Sequence, residues 1–91
     1  MINQIMKVFF SLHALERIRE RGISRELVKR AIRFPDKIEK SSVNPSRFLV
    51  KKLYFNEKLQ SDHLLLIILE IKQNLTEVVT VIDTSKISKY F

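Results

Sequence analysis

Apolar side chains recur at two different periods along this chain, and the change of period divides it into two halves. In the first half Leu12, Leu15 and Ile18 stand at helical spacing, with Ala14 beside them. Ser11 offers an N-cap in front of them, and Gly22, the single glycine, offers the left-handed residue that ends a helix. A second stripe, Leu27, Val28, Ala31 and Ile32, follows Ser24, a second candidate cap. Phe34-Pro35 ends it, because proline lacks the amide hydrogen and disfavours helical geometry in the residue before it. Asp36–Lys40 reads as a short strand, and Ser41–Ser46 as a turn cluster. From Arg47 to Phe55 the period becomes two. Phe48, Val50, Lys52 and Tyr54 fall on one side, and Arg47, Leu49, Lys51, Leu53 and Phe55 on the other. Residues 56–62 are a polar loop. His63–Ile71 is almost continuously apolar, the pattern of a central strand covered on both faces. Gln73-Asn74-Leu75 connects it to a valine-rich strand at Glu77–Ile82. Asp83–Lys86 then breaks that strand, and a short helix or tail ends at Tyr90-Phe91.

Two helices followed by strands on short connections predict an α+β domain. Two N-terminal helices pack on a mostly antiparallel four-stranded sheet, forming two layers with a short C-terminal helix or tail. Ninety-one residues hold one core, so residues 1–91 form a single domain. The start, Met1–Leu12, is apolar apart from Lys7 and superficially leader-like, but no small-residue cleavage site follows it. The longest apolar run, Leu64–Leu69, is far short of the ~20 residues that span a bilayer. A cytoplasmic protein with no membrane segment is the expectation.

Composition narrows the chemistry. Seventeen Lys and Arg against ten Asp and Glu give a net charge of +7, which directs the search toward polyanionic partners. Six of the seven arginines lie between Arg17 and Arg33. The absence of cysteine excludes disulfides and thiolate metal sites, and two histidines cannot make an all-histidine zinc site. No phosphate-binding glycine loop exists in a chain with one glycine. No cofactor is implied.

Four constellations remain. His13, Arg17 and Arg21 stand at i, i+4 and i+8, which stacks them along one stripe of the first helix. A histidine beside two guanidiniums suits phosphodiester cleavage without a metal: one group moves a proton while fixed positive charge stabilises the phosphorane. The plainer alternative is a solvated basic face pairing with Glu16 and Glu20. Lys51 and Lys52 are neighbours on a strand, so one faces the helix layer and the other faces solvent. The terminal run Thr84-Ser85-Lys86 with Tyr90 combines hydroxyls, a cation and a phenol that suit phosphate or base contacts; an ordinary polar terminus is the alternative. Pro35-Asp36 with Glu70-Ile71-Lys72 matches the bare pattern of a metal-dependent nuclease. Asp62-His63 reads as the wet entrance of the long apolar strand.

The run Phe10-Ser11-Leu12-His13-Ala14-Leu15-Glu16-Arg17-Ile18-Arg19-Glu20-Arg21-Gly22-Ile23-Ser24 resembles a prokaryotic family known as domain of unknown function 4258. So do Val28, Ala31-Ile32, Pro35-Asp36-Lys37-Ile38 and the ending Thr80-Val81-Ile82-Asp83-Thr84-Ser85-Lys86 with Lys89-Tyr90. That family is similar to the BrnT and RelE toxins, with the small α+β fold of metal-independent ribonucleases. The resemblance implies an RNA-cleaving role, often as the toxin of a toxin–antitoxin pair with an acidic antitoxin as partner. Carried over by position, His13, Arg17 and Arg21 are the helix-borne site residues, and Thr84, Ser85, Lys86 and Tyr90 the terminal ones.

The leading expectation is therefore a metal-independent endoribonuclease. His13 acts as base or acid, Arg17 and Arg21 hold the scissile phosphate, and Tyr90 or Lys86 completes the site, with Lys51 and Lys52 as further nucleic-acid contacts. Attack by the ribose 2′-hydroxyl makes RNA, and not DNA, the substrate. The alternatives are a non-catalytic nucleic-acid-binding module and a protein-interaction domain.

Overall fold

The computed structural model of the chain describes residues 7–91. Residues 1–6 of the leader-like start lie outside the described residues. In chain order the elements are strand β1 (Lys7–Phe10), helices α1 (Leu12–Arg21) and α2 (Arg25–Arg33), strands β2 (Lys37–Lys40), β3 (Arg47–Asn56), β4 (Ser61–Lys72) and β5 (Leu75–Thr84), and helix α3 (Ile87–Tyr90). The strands form one sheet in the order β1-β5-β4-β3-β2. β1 runs parallel to β5, and every other pairing is antiparallel.

The α+β class stands, but the expected four-stranded sheet led by two helices does not. The sheet is five-stranded and mixed, and a strand precedes the two helices; the short segment expected at the end is helix α3. β1 escapes a local reading because four residues are too few to display a period of two. Its partner is also remote: Lys7 pairs with Leu75 and Phe10 with Val78.

Both long helices start where their caps predict. The Ser11 hydroxyl accepts the Ala14 amide hydrogen at 3.0 Å, and the Ser24 hydroxyl accepts that of Leu27 at 3.0 Å. Gly22 ends α1 at φ 66°, a left-handed conformation that a β-carbon disfavours, and its amide reaches back to Arg19. The buried stripe of α1 is Ala14 and Ile18, with Leu15 partly buried; Leu12, read from spacing as a member of that stripe, is 82% exposed. Val28, Ala31 and Ile32 of α2 are buried as expected. These side chains close over one face of the sheet, against Val50, Leu65, Ile67 and Leu69.

β4 is the central strand that its apolar run predicts. Leu64 and Leu66 alternate with Leu65 and Ile67, and all four are buried, so the sheet is covered on its second face as well. α3 and Phe91 lie against that second face. The Phe91 main-chain oxygen accepts from Lys51, whose side chain points away from the face that carries Val50.

One irregularity fixes how α1 and β5 meet. Leu69 pairs with Val78 while Ile68 pairs with Thr80, so β5 carries an extra residue, Val79, as a bulge. The Ser11 amide donates to the Val78 oxygen at 3.0 Å, and the Ser11 hydroxyl donates to the Val79 oxygen at 2.9 Å. Ser11 thus caps α1 and fastens its first turn to the bulge. The Ser24 side chain makes only the cap bond among the described residues. Ser11→Ala is therefore expected to cost about 1–2 kcal/mol of stability, and Ser24→Ala about 1 kcal/mol or less, read from urea unfolding midpoints at equal m-values.

Candidate nucleic-acid interface

α1 and α2 present an outer surface rich in cations. Residues 12–33 hold Arg17, Arg19, Arg21, Arg25, Lys29, Arg30 and Arg33 against Glu16, Glu20 and Glu26, and every one of these side chains is exposed. The burial of Ala14, Ile18, Val28, Ala31 and Ile32 turns the remaining positions of both helices outward. Among the described residues the one ion pair within this surface joins Arg17 to Glu20 at 3.4 Å, with both side chains about half exposed. Such a pair contributes little in water. Arg25 lies 5.9 Å from the centre of the Phe10 ring, which holds its guanidinium over the start of the helix layer. An open groove of about 540 Å³ between the helices is lined by Leu15, Ile18 and Ile23 together with Glu16, Arg19 and Arg25.

His13, Arg17 and Arg21 occupy the exposed side of α1 that the i, i+4, i+8 spacing sets. His13 stands in the first turn, and Arg21 in the last, where the negative end of the helix dipole favours a cation. Of the alternative pairings, Arg17 with Glu20 is made, and the plainer reading of a solvated face describes that contact.

The terminal residues lie elsewhere. Thr84 ends β5, and its hydroxyl accepts the Lys86 amide hydrogen at 3.0 Å, which turns the chain into α3. Ser85 and Lys86 are exposed, and Tyr90 is half-exposed with the Lys89 ammonium 5.3 Å from its ring centre. α3 and Phe91 cover the sheet face opposite α1 and α2, so the sheet stands between Tyr90 and the His13 stripe. The structure does not bring these two groups together.

Lys51 and Lys52 point to opposite faces, as strand geometry requires, but neither faces open solvent. Lys52 lies on the helix side, 3.8 Å from Asp36. Lys51 is 7% exposed, bonded to Glu39 at 3.1 Å and to the Phe91 main-chain oxygen at 3.2 Å. The expectation of one wet lysine fails because the chain folds back over the second face. The nuclease-like acidic pattern is likewise dispersed. Asp36 accepts the Leu53 amide hydrogen at 2.7 Å, whereas Glu70 pairs with Arg47 at 3.5 Å on the far part of the sheet. Among the described residues no group of three or more metal-ligating side chains assembles.

A polar network that spacing did not reveal lies on the helix side of the sheet. His63 is buried, and its Nδ1 lies 3.0 and 3.1 Å from the two Asp83 carboxylate oxygens. Its Nε2 lies 3.1 Å from the Ser61 hydroxyl, and the Tyr54 hydroxyl donates to Asp83 at 2.5 Å. His63 therefore pairs across the sheet with Asp83 and not with its neighbour Asp62; it is an interior residue, not a wet entrance. The signal available in the sequence was Ser61 and His63 two apart on one strand face. The partner Asp83 depended on a register that no local pattern sets.

Burial, then the hydrogen bond to Asp83 and its negative charge, push the Tyr54 phenol up to about 12. A phenol whose folded value lies above its unfolded value near 10 stabilises the fold below pH 10, and that contribution is lost as pH rises through 12. Between pH 10 and 12 the unfolding midpoint of the wild type is expected to fall more steeply than that of Tyr54→Phe. Parallel denaturation curves at each pH check this; equal slopes would show that Tyr54 does not carry the effect.

Comparison with known proteins adds one finding. No curated protein and no solved structure matches the chain. The family model described as Domain of unknown function (DUF4258) matches residues 10–89, from the end of β1 into α3, and the chain belongs to that family.

Proposed function

We propose that this domain binds RNA across the outer surface of α1 and α2. The observation that carries the reading is the set of seven exposed cations on those helices, of which only Arg17 has an ion-pair partner among the described residues. Uncompensated guanidiniums on one face gain most from a polyanion, because each phosphate they neutralise releases condensed counterions. RNA, in preference to DNA, follows from the wider resemblance to the BrnT and RelE toxins.

A second reading is metal-independent RNA cleavage at the same surface. It is favoured by the exposure of His13 on the stripe that carries Arg17 and Arg21. The imidazole moves the 2′-hydroxyl proton, the two guanidiniums hold the scissile phosphate, and the product is a 2′,3′-cyclic phosphate. Within one chain this reading stands on α1 alone, since Tyr90 and Lys86 belong to the segment on the far side. An acidic antitoxin would act by covering these arginines.

Binding of a single-stranded oligoribonucleotide is expected to weaken linearly in log K against log salt. Arg30→Ala and Arg33→Ala should each make that slope shallower by about 0.7 for every phosphate left without its cation. No binding at physiological salt would count against both readings and favour a protein-interaction domain. Incubation with RNA in EDTA separates the two: cleavage by the wild type that His13→Ala abolishes supports the second. Binding without cleavage leaves the first.

A further inference from the structure

Lys37 on β2 and Lys51 on β3 are direct cross-strand partners. Like charges in that position repel each other, and Lys51 is moreover 7% exposed, so its ammonium has lost most of its water. Glu39 answers part of this at 3.1 Å. The rest is answered by one atom. The Phe91 main-chain oxygen accepts from Lys37 at 2.8 Å and from Lys51 at 3.2 Å. The Phe91 ring also lies beneath Lys37, with the ammonium 4.1 Å from its centre.

Two ammonium groups converging on a single oxygen are a donor arrangement that suits a phosphate oxygen. We propose that Lys37 and Lys51 form a phosphate-binding site on the sheet face opposite α1 and α2, and that residues 87–91 occupy it as an internal stand-in. The segment is a four-residue helix with no side-chain cap bond, followed by Phe91, and is held to the sheet in part by these lysine contacts. A phosphate brings more than one negative charge and several acceptor oxygens to the two ammonium groups, where the segment brings them a single oxygen. Glu39 remains on Lys51 and keeps it aimed, since an ammonium has three donors to share. This site is separate from the helix-layer surface and stands whether or not that surface binds RNA.

The test is titration with inorganic phosphate at constant ionic strength. Backbone amide shifts of residues 37 and 51 are followed, with melting curves confirming that each variant is folded. Phe91→Ala removes the ring that lies against Lys37 and is expected to bind phosphate at least fivefold more tightly than the wild type. Adding Lys37→Gln, an exposed position, or Lys51→Gln to Phe91→Ala should abolish the gain. A gain that survives both glutamine substitutions, or no gain at all in a folded Phe91→Ala protein, overturns the proposal. A 5′-phosphorylated oligoribonucleotide that binds Phe91→Ala more tightly than its 5′-hydroxyl counterpart identifies the source as a nucleic-acid end; equal binding of the two identifies free phosphate.

Discussion

A single extra residue in β5 sets the relation between the two ends of this chain. Before the bulge, Val78 faces the helices opposite Leu69; after it, Val81 and Asp83 face them opposite Ile67 and Leu65. If Val79 paired with Ile68 instead of bulging, the antiparallel register from Lys72 and Leu75 would continue unbroken. Ile82 would then turn inward and Asp83 outward, because a one-residue slip exchanges the faces of a strand. The bulge therefore delivers the Asp83 carboxylate to His63 and Tyr54. The same bulge frees the Val79 oxygen for Ser11, and β1 ends one step away, where Phe10 pairs with Val78. Helix start and buried polar network both depend on that local change of register.

The second consequence concerns coverage. β4 is apolar on both faces, and two helices can cover only one of them. The other face is closed in part by α3 and Phe91, which brings a main-chain oxygen over Lys51 and Lys37. Leu53, Phe55 and Ile82 on that side stay 39–53% exposed, so the coverage is incomplete. A buried lysine at this place is tolerable because Glu39 and Phe91 both accept from it; removing either leaves a desolvated charge with fewer partners.

The sequence made the helices, their caps and the central strand legible, because each depends on residues within a few positions: Ser11 with Ala14, Gly22 with Arg19, the run at Leu64–Leu69. It concealed whatever depends on pairing at a distance. β1 could not be seen because its hydrogen bonds go to a strand near the other end of the chain. The core stripe of α1 keeps Ala14, Leu15 and Ile18 but not Leu12, since both Leu12 and Ala14 are compatible with helical spacing and only the angle of docking decides between them. For the candidate site, the exposure of His13, Arg17 and Arg21 on one helix was legible from periodicity. Its completion by Tyr90 was not, because that depended on which face of the sheet the last segment would cover.

That separation constrains the chemistry. General acid–base cleavage of RNA needs one group to take the 2′-hydroxyl proton and another to protonate the departing oxygen. On the outer surface of α1 and α2, His13 is the histidine, and the other ionisable groups are six guanidiniums, the Lys29 ammonium and the carboxylates of Glu16, Glu20 and Glu26. Guanidiniums remain charged near neutrality and stabilise a phosphorane without moving protons. A cleavage reaction confined to this face would thus have His13 serve one proton transfer, with water, a carboxylic acid or Lys29 serving the other. A binding surface makes no such demand: it asks only that the cations be exposed, numerous and weakly paired, which the helix layer already satisfies.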